Sequence, residues 1–293
     1  MDKFKGVFPA LLTPFDKDGK INADSVAKLM ELNIAKGVDG FYVAGSTGEG
    51  LLLTIEERKQ LFKIVADVNK GRVTLIAHVG TIATDQAIEM AKYAESVGFD
   101  AISAVAPFYY GFSYQAIKEH YYAIANSVEI PMIMYNFPNA NGFNFTKALA
   151  EDMFANPKFI AIKHTNSDLY LLQQFKTMAC KPIVYNGFDE MFVAGLAMGA
   201  DGGIGSTYNF MAEKFIAIYN EFKAGNIAKA QSIQTEVNEI IGLLIKYGVF
   251  AMEKGVLTEM GIDMGECRRP FLPLSEEGRA ACKRIVEMLK DNL

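Results

Sequence analysis

The residue with the most reactive potential in this sequence is a lysine in the run Phe159-Ile160-Ala161-Ile162-Lys163-His164-Thr165. The run reads as a short buried strand. Side chains alternate along a strand, so Phe159, Ala161, Lys163 and Thr165 share one face and Ile160, Ile162 and His164 the other. A charged amine buried among apolar groups is costly unless it is paired. Either the amine of such a lysine snorkels to solvent, or burial drives it towards the neutral form, which attacks carbonyl carbon. The end of a buried strand favours the second reading, and His164, on the opposite face, reads as structural.

Three further groups of polar residues stand at strand ends. Gly45-Ser46-Thr47-Gly48-Glu49-Gly50 is neither a Walker A loop nor a dinucleotide fingerprint, since the lysine and the third glycine spacing are missing. It is either a tight glycine-rich turn or a nest of N–H groups and two hydroxyls that suits a carboxylate. Tyr135, in Met134-Tyr135-Asn136, reads by itself as a core aromatic with its hydroxyl satisfied by a neighbour. Asp189 and Glu190, after Tyr185-Asn186-Gly187-Phe188, are an N-cap with a first-turn charge or a pair of acceptors for sugar hydroxyls. Gly205-Ser206-Thr207 adds hydroxyls beside them.

The elements that must position these groups alternate. Short apolar runs at 6–15, 40–45, 74–80, 100–107, 131–136, 159–165, 182–187 and 202–207 read as strands. Helix-period segments follow them at 24–36, from the capping box Thr54-Ile55-Glu56-Glu57, and at 85–97, 114–126, 147–154, 168–178, 189–198 and 211–223. Eight strand–helix units at intervals of roughly 25–30 residues predict an α/β fold, a closed (β/α)8 TIM barrel, over an open doubly wound sheet. Chemistry in such a barrel collects at the C-terminal ends of the strands, where the groups above stand. Helical patterns at 228–247, 250–260 and 276–289, the last with Ser275 as N-cap, predict a C-terminal helical extension. The division expected is a barrel over 1–223 and the extension over 224–293.

Composition narrows the class. The chain has 293 residues, 51% hydrophobic and 22% charged, with a net charge of −5, which fits a folded globular protein and not a nucleic-acid binder. No apolar run approaches the ~18 residues of a membrane span, and the N-terminus has no secretory pattern, so a cytoplasmic protein is expected. Three cysteines without C-x-x-C spacing argue against disulfides, and three scattered histidines against a metal site. Asp16-Lys17-Asp18-Gly19 lacks the further acidic residues of a calcium loop and reads as a turn.

Taken in order, Leu11-Leu12-Thr13-Pro14-Phe15, Gly45-Ser46-Thr47-Gly48-Glu49, Pro107-Phe108-Tyr109-Tyr110, Tyr135-Asn136-Phe137-Pro138, Ile162-Lys163-His164-Thr165, Tyr185-Asn186-Gly187-Phe188-Asp189-Glu190 and Gly202-Gly203-Ile204-Gly205-Ser206-Thr207 resemble the N-acetylneuraminate lyase/dihydrodipicolinate synthase family. The resemblance spans nearly the whole chain, extension included. It implies a class I aldolase in which Lys163 forms a Schiff base with pyruvate and Ser46 and Thr47 hold the pyruvate carboxylate. Tyr135, helped by Thr165, would relay the proton, and Tyr109 would reach into a neighbouring subunit's site. Gly187, Asp189, Glu190 and Ser206 would grip a polyhydroxyl tail. A homotetramer with no cofactor and no metal is implied, and small molecules are its partners: sialic acid, pyruvate and N-acetylmannosamine.

Within that family, the synthases carry an arginine after the strand-five tyrosine that binds a dicarboxylic substrate. Here the stretch is Asn139-Ala140-Asn141-Gly142, without a cation. A second carboxylate would lose a charge-assisted anchor, and Asp189-Glu190 would disfavour it further. The lyase branch, reversibly cleaving N-acetylneuraminate to pyruvate and N-acetylmannosamine, is therefore expected. An aldolase or dehydratase for 2-keto-3-deoxy sugar acids would share Lys163 and Tyr135, and a non-catalytic keto-acid sensor would not need them. Phe188 stands where family members often have tyrosine.

Overall fold

The computed structural model of the protein describes residues 1–291. Its strands are β1 (Gly6–Pro9), β2 (Gly40–Val43), β3 (Thr74–His78), β4 (Ala101–Val105), β5 (Met132–Asn136), β6 (Phe159–His164), β7 (Ile183–Asn186) and β8 (Gly202–Gly205). All pair in parallel as one eight-stranded sheet in the order β1-β8-β7-β6-β5-β4-β3-β2. A parallel bridge from Ala10 to Tyr42, with Leu11 N donating to Tyr42 O at 2.9 Å, closes the barrel between β1 and β2. Closure leaves no free sheet edge.

One main helix follows each strand: α1 (Ala23–Lys36), α2 (Ile55–Asn69), α3 (Thr84–Ser96), α4 (Tyr114–Ala125), α5 (Lys147–Phe154, preceded by a single helical turn at Pro138–Asn141), α6 (Leu169–Lys176), α7 (Phe192–Ala197) and α8 (Tyr208–Lys223). The extension is α9 (Ile227–Tyr247), α10 (Val249–Glu259) and α11 (Glu276–Asp291). The expected capping box at Thr54 forms, with Glu57 N donating to Thr54 Oγ1 and Thr54 N to Glu57 Oε2. Ser275 caps α11 through Gly278 N at 3.1 Å. Among the described residues no helix is long and apolar enough to cross a membrane.

Several boundaries differ from the sequence pattern. The first strand stops at Pro9, and Ala10 to Phe15 continue as a loop with only isolated bridges at Ala10 and Phe15, so this largely apolar run packs without forming a ladder. The segment at 189–198 splits into a 3-10 turn, Asp189–Met191, and the short α7. α8 begins at Tyr208, ahead of the expected start, with a non-helical kink at Met211.

Two apolar layers hold the barrel. An inner cluster fills the strand cylinder with Phe8, Tyr42, Ile76, Ile133, Tyr185 and Ile204 among others, and an outer layer lies between strands and helices. The alternation expected for β6 holds at Ala161 and Ile162, which fall in the inner and outer layers respectively. It fails at Phe159. The register slips between Met132 and Ile133, so Met132 faces Phe159 while Ile133 faces Ala161. A bulge at Ile160 absorbs the extra residue and turns Phe159 outwards, against Tyr122 at 5.6 Å between ring centroids. Lys163 is downstream of the bulge and keeps its inward direction.

Candidate active site

Lys163 lies one residue from the end of β6, opposite Tyr135 of β5 and Tyr185 of β7 in the ladder. It is 5% exposed and has no carboxylate within ion-pair distance among the described residues. Its Nζ lies 4.3 Å from the ring centre of Tyr135 and 4.7 Å from that of Tyr42, so two aromatic faces and no anion receive the amine. Tyr42 is occupied by a hydrogen bond to Ser103 Oγ at 3.0 Å, and burial pushes its phenol well above the ordinary range. Tyr135 stacks on Phe137 and meets Tyr42 edge-on. Among the described residues its hydroxyl has no hydrogen-bond partner.

Thr165 follows β6, with its backbone N–H tied to Asn136 O at 2.9 Å. Its hydroxyl is buried and unpartnered. The next strand end passes so close that a Cβ at position 187 would overlap Thr165 Oγ1, which is why a glycine stands there.

The loop after β2 turns sharply at Ala44, with φ of 58°, and closes on itself through Gly50 N to Gly45 O and Glu49 N to Ser46 O, both at 3.0 Å. The N–H groups of Ser46, Thr47 and Gly48 are left without an acceptor among the described residues. Three free donors thus stand beside two hydroxyls in this loop. Two residues outside the sequence reading hold it in shape. Val105 N donates to His78 Nε2 at 3.3 Å, so Nδ1 carries the proton and donates to Ala44 O at 3.2 Å. Arg58, 2% exposed, donates to Gly80 O at 3.0 Å and to His78 O. Burial holds the His78 imidazole well below its usual range, and thus neutral, and lowers the Arg58 guanidinium to about 10. Arg58 stands on the apolar stripe of α2 with Leu61, Phe62 and Val65, and a charge on a buried stripe is the signal that could have revealed it.

Asp189 caps no helix. Its Oδ2 accepts from Thr207 N at 2.9 Å and Thr207 Oγ1 at 2.7 Å, joining the β7 and β8 loops, and burial pushes its carboxyl up to about 6. A Cβ at Gly205 would overlap Asp189 Oδ1, so the glycine admits the carboxyl against the strand. Helix α9 secures the same turn. Gln234 Nε2 donates to Asp189 O at 3.0 Å, and Asn238 Nδ2 to Glu190 O at 3.1 Å.

These residues meet in one cavity of about 270 Å³ at the C-terminal end of the barrel. Ser46, Thr47, Tyr135, Lys163, Thr165, Gly187, Asp189, Glu190 and Ser206 all line it. Phe137 and Phe188 join them, and Ile241, Leu244, Ile245, Val249 and Phe250 of the extension form a wall that no strand-end argument predicts. Tyr109 is not brought in. It is 85% exposed, in a left-handed conformation at φ 76°, with its ring against Tyr110. His164 is structural as expected, with Nδ1 3.1 Å from Asn136 Nδ2 and Nε2 2.9 Å from Asp168 O.

Comparison with known proteins agrees with this fold. The sequence matches the Dihydrodipicolinate synthetase family over residues 3–289. The N-acetylneuraminate lyase of Citrobacter koseri is 45% identical over 287 residues, covering 97% of each chain. Among solved structures, CdNal from Clostridium difficile, crystallised with mannosamine, superposes with a TM-score of 0.95 at 36% identity, covering 97% of this chain and 98% of that one. A Ruminococcus gnavus sialic acid aldolase, solved as its catalytic lysine mutant, gives 0.96 at 34% identity, covering 99% and 97%. A full-length sequence match, a shared eight-stranded barrel and a buried strand-end lysine together make this chain a member of the Dihydrodipicolinate synthetase family.

Proposed function

We propose that the chain is an N-acetylneuraminate lyase, a class I aldolase that reversibly cleaves N-acetylneuraminate to pyruvate and N-acetylmannosamine. The observation that carries the reading is the buried Lys163 amine, 4.3 Å from the centre of the Tyr135 ring, in one cavity with Ser46, Thr47, Asp189, Glu190 and Ser206. The nest of Ser46 and Thr47 takes the keto-acid carboxylate, which brings the adjacent carbonyl to Lys163. Attack of Nζ and loss of water give a protonated imine. This cation draws in the electron pair of the C3–C4 bond as Tyr135 removes the proton from the C4 hydroxyl. N-acetylmannosamine leaves, C3 of the enamine is protonated, and water releases pyruvate. The imine is the electron sink, so the reaction calls for no metal or cofactor.

A free phenol ionises near pH ~10, so a tyrosine base at neutral pH needs neighbouring donors. The unpartnered Thr165 hydroxyl and Tyr109 of an adjacent subunit in a homotetramer are assigned that role. Asp189, Glu190 and Ser206 receive the sugar hydroxyls. The short helix Pro138–Asn141, where a synthase arginine would stand, offers no cation for a second carboxylate. Three free thiols, Cys180, Cys267 and Cys282, suit a reducing cytoplasm.

Borohydride added with pyruvate should fix an adduct on Lys163, read by mass spectrometry, and its absence would overturn the imine. Pyruvate release from N-acetylneuraminate should exceed that from 2-keto-3-deoxygluconate, whereas the reverse preference would assign the chain to keto-deoxy sugar acids. Lys163→Ala should lose adduct and turnover. Tyr135→Phe should keep the adduct and lose about 100-fold or more in kcat, the usual scale of a positioned acid–base group.

A further inference from the structure

One buried acid near the cavity has no part in the chemistry above. Glu253 interrupts the apolar pattern of α10 and is 0% exposed. Val249 and Phe250, four and three residues before it, line the cavity. Residues at those spacings share a helix face, so Glu253 continues the cavity-facing stripe one turn deeper. The next residue, Lys254, turns away to an ion pair with Glu49 at 2.5 Å. The Glu253 carboxyl lies beside the Ser206 hydroxyl with Asp189 as the neighbouring charge, and neither of its oxygens makes a well-formed hydrogen bond to the described residues. Burial, reinforced by Asp189, pushes its carboxyl up to about 8.

The Glu253 carboxyl offers an oxygen that accepts the Ser206 hydroxyl proton. Ser206 then turns its lone pairs to the cavity, alongside the carboxylates of Asp189 and Glu190. We propose that Glu253 is a specificity-determining positioning residue that orients Ser206 as a hydrogen-bond acceptor. The distal wall thereby presents acceptors only, which suits a tail of hydroxyl donors and opposes an anionic or donor-poor one. An unpartnered buried acid is costly to hold, and a ligand hydroxyl that completes the Ser206 chain makes use of it. The inference rests on the aldolase reading of the cavity.

The test uses the full-length protein, pyruvate with borohydride, and steady-state kinetics on N-acetylneuraminate. Glu253→Met keeps length and removes the acceptor, and Glu253→Gln keeps a neutral carbonyl. Glu253→Met should raise KM about tenfold, the scale of one oriented hydrogen-bond chain, with kcat changed less than about twofold and the pyruvate adduct retained. Glu253→Gln should return KM to within about twofold of the parent. Ser206→Ala should raise KM to the same degree, and adding Glu253→Met to it should change KM by less than about twofold, because the two act as one unit. An unchanged KM in Glu253→Met, or an equal rise in Glu253→Gln, would overturn the orienting role. If Glu253→Met does not fold, an unchanged KM in Ser206→Ala does the same. Failure of the parent to form a pyruvate adduct would instead strike the aldolase reading itself.

Discussion

At the scale of single residues, Asp189 combines two roles that pull in opposite directions. Its Oδ2 latches the β7 and β8 loops through Thr207, while its burial raises the carboxyl from 3.8 to about 6. A carboxyl bound more tightly by its proton in the fold favours folding fully below about pH 3.8, and that contribution is lost as pH rises through about 6. Asp189→Asn keeps an acceptor for both Thr207 donors and cannot ionise. Its melting temperature should therefore gain on the parent between pH ~4 and ~6.5, by the equivalent of up to about 2 kcal/mol. Parallel melting curves across that window would show that Asp189 does not titrate there. The same substitution should weaken the grip on substrate hydroxyls, so stability and KM move oppositely, as expected where function retains a strained group.

At the scale of elements, the extension is fastened to the barrel mouth by charge. Arg268, in the loop between α10 and α11, makes a bidentate pair with Glu57 at 2.7 and 2.5 Å, and its backbone N–H donates to Glu49 Oε2 at 2.6 Å. Glu57 also closes the α2 capping box. The nest loop, the start of α2 and the extension are thus joined through two glutamates. The Arg268 guanidinium, with the Thr54 N–H, holds the Glu57 carboxyl down to about 2 against an ordinary 4.5. A depressed carboxylate stabilises fully above about pH 4.5 and loses that contribution as pH falls through about 2. Glu57→Gln should cost about 1–2 kcal/mol in urea unfolding at pH 7, with the gap to the parent closing towards pH 2. A gap that persists at low pH would assign the loss to packing.

At the scale of the whole molecule, we propose that residues 1–223 and 224–293 divide the labour of barrel and extension without dividing stability. Gln234 and Asn238 hold the Asp189–Glu190 turn, and Leu244 and Phe250 wall the cavity. A single transition in calorimetry is expected, and two separable transitions would contradict it. Tyr109, Tyr110 and Phe112 form an exposed aromatic cluster at the barrel mouth, 85%, 63% and 38% exposed. If Tyr109 serves a neighbouring subunit, mixing refolded Lys163→Ala and Tyr109→Phe chains should restore activity towards about a quarter of the parent's, since each mixed pair owns one complete site. No recovery on mixing would confine Tyr109 to its own chain.

Much of this was legible from local pattern. The period-2 and period-3.6 apolar runs determined eight strand–helix units and three further helices, because each element must turn its apolar face to a core. The position of Lys163 at a strand end followed from the same alternation, and the capping box and the Ser275 cap from residue types at fixed offsets. Other features depended on which distant segments meet. The outward turn of Phe159 required the β5–β6 register, and the latch from Asp189 to Thr207 required the β7–β8 contact. The arrival of Arg58, Arg268 and Glu253 around the cavity required the packing of α2 and the extension. A sequence states which faces are apolar. Where a buried charge finds its partner, or goes without one, is decided only when the chain closes around it.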